Sequence, residues 1–264
     1  MQAVAAVIRD VAATIILPRF QALEQHHISE KSPGDFVTIA DHESEAALTA
    51  RLSDLLPGSL VVGEEAAAAD PNVLEHLVDD RAVWIVDPVD GTYNFAHGDP
   101  IFAVIVALAV GGETRAGWIY LPVDDEMAAA EEGGGAWIGD TRLSVDRPEA
   151  LEDLIGGVNY SLFDKTKRDA ARAVCRGFKE CRNLRCSGRE YFDMTRGRRH
   201  FAYSRNLKPW DHAAGVLMHR EAGGYAAKFA DETPYRIVDP GTGLLVAPSR
   251  DLWHRIRDHF APVS

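Results

Sequence analysis

The sequence predicts a layered α/β protein built in two parts, and two observations carry that reading. Up to about residue 145, two amphipathic helical stretches accompany a series of strands joined by glycine turns. Beyond it, short strands and helices alternate. A chain of 264 residues suits one large domain or two intimately packed halves, and the division expected here is 1–145 and 146–264.

The opening MQAVAAVIRDVAATIILPRF repeats Val4, Ile8, Val11 and Ile15 at helical spacing but carries Arg9 and Asp10 at its centre. It reads as a packed amphipathic helix running to about His26, not as a membrane span. SEKSPGD reads as a polar loop, and HESEAALTARLSDLL as a second amphipathic helix closed by Pro57-Gly58. LVVGEE and AVWIV are short strands. IFAVIVALAV, Gly111-Gly112 and RAGWIYLP give strand, turn and strand, and EMAAAEEGGGAWIG a further hairpin, so the sheet of this half is mainly antiparallel. In the second half LIGGVNY, NLRC, HFAY, GYAAKF and GLLVAPS read as strands. Residues 166–178, 189–197, 210–222 and 250–260 read as helices.

Hydrophobic residues make up 46% and charged residues 26%, which argues against disorder. Forty acidic against 28 basic side chains give a net charge of −12. That balance disfavours a nucleic-acid polymer or an anionic membrane as the main partner. It permits a small phosphorylated substrate, provided something cationic screens the acids. Cys175, Cys181 and Cys186 are separated by gaps that match no usual zinc spacing, and no secretory signal is read before them; free thiols in a reducing cytoplasm are expected.

The acids hold the chemistry. In Asp87-Pro88-Val89-Asp90-Gly91-Thr92 the proline pushes Asp87 toward an extended conformation, and Gly91 permits a left-handed exit. The stretch is either a plain turn or a place where two carboxylates meet the N–H groups of Gly91 and Thr92 at a helix start, which suits an anion. Glu64-Glu65 is either an acid-rich helix start or part of the same cluster. Asp211 is either a first-turn acid behind Pro209 or a further member, and Asp41 either an N-cap or a participant. Carboxylates about 4 Å apart repel by roughly 4 kcal/mol at an effective dielectric near 20, so a cluster of four or five requires bound cations. Oxygen ligands without Cys or His favour Mg²⁺, Mn²⁺ or Ca²⁺ over zinc.

These segments resemble the inositol monophosphatase family of Mg²⁺-dependent, lithium-sensitive phosphomonoesterases. KSPGDFVTIAD (31–41) is similar to its K-x3-D-x-V-T-x-x-D, VVGEE (61–65) to its G-E-E, and WIVDPVDGTYNFAHG (84–98) to its W-x-x-D-P-[IVL]-D-G-T-x-N-F. PWDHAAG and EAGG are similar to its W-D-x-A-A-G and the partner of that motif. The resemblance implies a layered αβαβα sandwich and two or three Mg²⁺ ions, with Mn²⁺ as an alternative. Glu64, Asp87 and the Val89 carbonyl would hold the first ion, and Asp87, Asp90 and Asp211 the second. A weaker third would lean on Glu64. Thr92, bonded to Asp41, would work with Glu64 to position and deprotonate water. The Gly91 and Thr92 N–H groups would hold phosphate, with Lys31 and Glu65 in support. A cytoplasmic homodimer is also implied.

Two departures bear on substrate. Where inositol-preferring members carry a glutamate seven residues before the W-D aspartate, this chain has Ser204. Where they carry G-[ST]-A-A, it has Arg189 and Glu190. Inositol 1-phosphate remains the first candidate; histidinol phosphate, fructose 1,6-bisphosphate and a nucleotide 3′-phosphate are the alternatives. A different class of function, binding to transcription or RNA-processing machinery, has only the basic TRGRRH (195–200) to support it. That stretch is otherwise a solvated helix end.

Overall fold

The amphipathic opening forms α1 (Gln2–Val11), continues as one π-helical turn over Ala12–Ile16, and buries Val4, Ile8, Val11 and Ile16. The computed structural model describes residues 1–24, 27–32, 35–238 and 241–263. The helix ends well before His26, a position outside the described residues, because Pro18 has no N–H to continue it. SEKSPGD is not simply a loop: β1 (Ile28–Ser32) and β2 (Asp35–Thr38) pair antiparallel, while its Pro33-Gly34 lies outside the described residues. In α2 (Ile39–Leu55) the N-cap is Thr38, and Asp41 sits in the first turn as the other half of a capping box.

Next come β3 (Leu60–Gly63), α3 (Glu64–Ala69), β4 (Ala82–Asp90), α4 (Thr92–Ala96), β5 (Ala103–Val110), β6 (Glu113–Leu121), β7 (Glu126–Glu131), β8 (Gly135–Ile138) and β9 (Thr141–Arg142). These seven strands lie side by side in chain order, β3 and β4 parallel and the remainder antiparallel. The second half supplies β10 (Ile155–Val158), α5 (Arg168–Cys175), β11 (Glu180–Cys181), α6 (Ser187–Thr195), β12 (Phe201–Asn206), α7 (Pro209–Glu221), β13 (Tyr225–Lys228), β14 (Thr242–Ala247) and α8 (Arg250–Phe260). Its sheet runs β11-β10-β12-β14-β13, with β10 parallel to both neighbours and the other pairings antiparallel. The strand expected over NLRC falls earlier, in β11. Asn183 instead accepts the Arg185 N–H through its side chain at 2.7 Å, and Arg185 is left-handed with φ +56°, so the chain turns there.

Side-chain alternation divides the interior into three cores. From β4, Val83 and Ile85 face a central core while Trp84 and Val86 face α1 and α2. From β14, Leu244 and Val246 face the same central core while Leu245 and Ala247 face α5 and α8. Helices α6 and α7 fill the central layer, giving the order helix, sheet, helix, sheet, helix. The helix α7 is buried along nearly all its length and lies close on β6. A Cβ at Gly117 would come within 2.8 Å of the Ala214 Cα, so glycine sets that approach. No helix among the described residues is long and apolar enough to cross a membrane.

Candidate active site

Strand β4 delivers Asp87 and Asp90 through a bulge. Asp87 pairs with Ile105 and Asp90 with Ala103, so Pro88 and Val89 are accommodated between them, where a residue without an N–H costs the ladder nothing. Both aspartates are buried, and Asp87 accepts the Val89 N–H at 3.1 Å. Gly91 follows with φ +89° as the N-cap of α4, and a Cβ there would stand 3.0 Å from the Ile101 carbonyl oxygen. Glycine is required for both reasons.

Asp211 arrives in the first turn of α7, behind Pro209. Carboxylate oxygens of Asp87, Asp90 and Asp211 lie within 4.8 Å of one another. Burial, then the charges of Glu64, Asp90 and Asp211, pushes the Asp87 carboxyl well above the usual carboxylate range. Burial, then the charges of Asp90 and Glu64, does so for Asp211, with its contact to Asp87 acting the other way. Burial also raises Asp90, against the hydrogen bonds that it accepts. An all-oxygen cluster whose charge is so disfavoured fits a hard divalent cation.

Around these three, Glu64 and Glu65 open α3 and share Lys31, whose Nζ stands 2.9 and 2.6 Å from them. Burial works against the Lys31 charge, but the two glutamates outweigh it and hold the ammonium above its ordinary range. Burial pushes Glu64 up to about 7 in spite of Lys31. Asp41 is fixed by the Thr38 N–H at 2.8 Å and the Thr38 hydroxyl; burial against those bonds brings it to about 6. The Thr92 hydroxyl lies 3.0 Å from Asp41 and 2.9 Å from the Val89 carbonyl, and its single proton serves one of them at a time.

Sequence reading missed three supports. Glu45, one turn beyond Asp41 on α2, accepts the N–H groups of Glu65 and Ala66, both at 2.8 Å, and so caps α3. Asp90 accepts the Cys186 thiol at 3.1 Å, the Ser187 N–H at 3.1 Å and the Gly188 N–H at 2.6 Å, docking the start of α6. His212 accepts the Tyr191 hydroxyl at Nδ1 (2.9 Å) and donates from Nε2 to the Asn206 carbonyl (2.8 Å), tying α7 to α6 and the end of β12. The spacing of Asp41 and Glu45, which puts two acids on one helix face, was a usable signal for the first.

A cavity of about 480 Å³ opens over the acids, with Ser204 and Glu190 in its wall. Glu190 is buried, accepts the Leu184 N–H at 3.0 Å and lies 4.0 Å from Arg199. Arg189 does not line the cavity; it pairs with Asp193 at 2.9 Å and Asp124 at 2.7 Å. In the basic stretch, Arg196 meets Glu126, Arg198 meets Asp193 and Arg199 meets Glu190, so its charge is largely answered within the fold. Cys175, Cys181 and Cys186 are free thiols.

The sequence profile of the inositol monophosphatase family matches residues 1–260. An inositol-1-monophosphatase of Mesorhizobium japonicum is 35% identical over 79% of this chain and 77% of its own. The Nus factor SuhB of Vibrio cholerae is 31% identical over 85% and 83%. The structure of the Thermotoga maritima IMPase superposes with a TM-score of 0.81 at 24% identity, covering 99% of both chains, which establishes the shared fold. Fold and site together define a metal-dependent phosphomonoesterase. The chain belongs to the inositol monophosphatase family.

Proposed function

We propose that this protein hydrolyses a small phosphate monoester with Mg²⁺, inositol 1-phosphate being the first substrate to test. The observation that carries the reading is the convergence of Asp87, Asp90 and Asp211 within 4.8 Å in the lining of a cavity. Glu64, Asp87 and the Val89 carbonyl would hold one Mg²⁺, and Asp87, Asp90 and Asp211 a second, with a third leaning on Glu64 and Mn²⁺ as a substitute. Bound there, the ions would neutralise the carboxylates, acidify water and stabilise the leaving oxygen.

The chain's own groups position the reactants. The N–H groups of Gly91 and Thr92, at the start of α4, receive the phosphate oxygens. Asp41 takes the Thr92 proton in a hydrogen bond, which turns an oxygen lone pair of Thr92 toward the attacking water. Glu64 accepts the proton of that water. Lys31 and Glu65 keep Glu64 in place; the 2.9 and 2.6 Å contacts support this role. Phosphoryl transfer of this kind asks mainly for positioning and charge neutralisation, so no protein nucleophile is needed.

Phosphate release from inositol 1-phosphate, fructose 1,6-bisphosphate, histidinol phosphate and 3′-phosphoadenosine 5′-phosphate, with Mg²⁺ and with chelator, tests the proposal. Mg²⁺-dependent turnover of at least one is expected, and none on any would overturn it. A purely binding role, suggested by the name of the Vibrio relative, is disfavoured by the internal pairing of 195–200. We also expect a homodimer, to be read by sedimentation.

A further inference from the structure

The acid cluster shares the cavity lining with two arginines, Arg185 and Arg205. Both are exposed, and among the described residues neither forms an ion pair with a carboxylate. Arg185 is held with its guanidinium 4.3 Å above the ring of Tyr93. That ring is itself braced by stacking on His97 at 4.2 Å and by the edge of Phe36 at 5.4 Å. The left-handed backbone of Arg185, φ +56°, is unusual for a long side chain and aims it from the turn that Asn183 closes. Arg205, at the open end of β12, donates to the Ser161 carbonyl and keeps its charge unanswered. Ser204, next to Arg205 on β12, lines the same cavity and adds no charge. Glu190, also in the lining, is buried and lies 4.0 Å from Arg199.

In a protein of net charge −12, two arginines without a carboxylate partner in the lining of an acid-rich cavity suit an anion. We infer that Arg185 and Arg205 form a second anion subsite, so that the preferred substrates are phosphate monoesters whose leaving group carries another phosphate or carboxylate. This deepens the phosphatase reading and rests on it. The guanidinium forks suit either group by paired N–H···O bonds. Tyr93 gives Arg185 an apolar platform that fixes its plane before the ligand arrives. Neutral polyol monophosphates use the hydrolytic groups alone and gain nothing from this wall.

The test compares matched pairs: fructose 1,6-bisphosphate against fructose 1-phosphate, and 3-phosphoglycerate against glycerol 3-phosphate. The first pair reports a second phosphate and the second a carboxylate. In at least one pair the wild-type protein should favour the doubly charged member by about five- to thirtyfold in kcat/KM, a range reduced for solvent exposure of both arginines. Arg205→Ala and Arg185→Asn, the latter chosen because asparagine tolerates a left-handed backbone, should each shrink that ratio, mainly through KM. Arg185→Lys should restore part of it. The ratio should also fall as salt rises. Calorimetry with the non-hydrolysable bisphosphonate and monophosphonate isosteres of the sugar, on the Mg²⁺-loaded protein, gives a reading independent of turnover. Loss of the bisphosphonate preference in the two variants supports the subsite even if no monoester is hydrolysed, an outcome that would sink the phosphatase reading alone. Equal ratios and equal Kd differences in wild type and folded variants overturn it.

Discussion

Replacing Asp211 by asparagine should make the metal-free protein more stable and the metal-loaded protein inactive. With oxygens no more than 4.8 Å apart, each ionised pair in the cluster repels by about 3.5 kcal/mol at an effective dielectric near 20. Asp211 takes part in two of the three pairs. The folded protein escapes part of that cost by retaining protons, as the raised carboxyls of Asp87 and Asp211 indicate. An asparagine amide donates to Asp87 with no proton to retain. Against this, a neutral residue in the first turn of α7 forgoes about 0.5 kcal/mol of helix-dipole interaction. A net gain of about 1.5–3 kcal/mol remains, or roughly 3–10 °C in Tm for a chain of this size. The sign with pH follows. Carboxyls raised in the folded state cost nothing below their ordinary range near 3.8, and the cost grows as pH climbs above it. The difference between variant and wild type should therefore be near zero at pH 4 and largest at pH 8. Mg²⁺ at a hundred times its Kd should stabilise wild type by about 2.7 kcal/mol and the variant by less than half of that. Differential scanning calorimetry with chelator, then with Mg²⁺, reads both effects. A variant that melts below wild type in chelator at pH 8, or that keeps the full Mg²⁺ shift, would refute the argument.

Three further expectations follow from the site and the core. Lithium should inhibit phosphate release in an uncompetitive or mixed manner; its absence at tens of millimolar would remove the lithium-sensitive assignment. Ser204→Glu should improve inositol 1-phosphate relative to doubly anionic esters by about ten- to a hundredfold in kcat/KM, the worth of one charged hydrogen bond; an unchanged ratio would mean that this position does not reach the leaving group. His212 and His219 are buried and donate to the Asn206 and Ala247 carbonyls, and burial lowers each to about 4. Stability from keeping them neutral is complete above their ordinary 6.5 and is lost as pH falls toward 4, by up to about 3 kcal/mol each. In Mg²⁺, His219→Gln should flatten the fall in Tm between pH 6.5 and 4.5, and an unaltered slope would contradict this.

The sequence disclosed the parts of this site that depend on local conformation. Pro88 and Gly91 announce a chain that must leave a strand, deviate and enter a helix, and the bulge and left-handed cap are the result. Alternating strands such as β14 likewise show both of their faces in the order of their residues. Supports made by distant approach left no such trace. The grip of Cys186, Ser187 and Gly188 on Asp90 joins residues about a hundred positions apart. Nothing in RCSG distinguishes donors aimed at a carboxylate from an ordinary helix start. Arg185 was hidden for a related reason. Its turn depends on one Asn183 side-chain bond, and NLRC looks as extended as a true strand. The misjudged end of α1 is different: Pro18 was visible, but hydrophobic periodicity on both sides of it outweighed a single missing donor.

The bonds from α6 to Asp90 also restrict how the molecule can move. Asp90 belongs to the first sheet, while the thiol and two N–H groups that it accepts belong to the segment entering α6. Any opening between the first sheet and α6 would strip three donors from one buried carboxylate, and α7 packs closely on β6 at Gly117. The seam is riveted where a jointed enzyme would have its hinge. Reactants and products then exchange through the standing cavity, whose lining includes Tyr93 and Arg185.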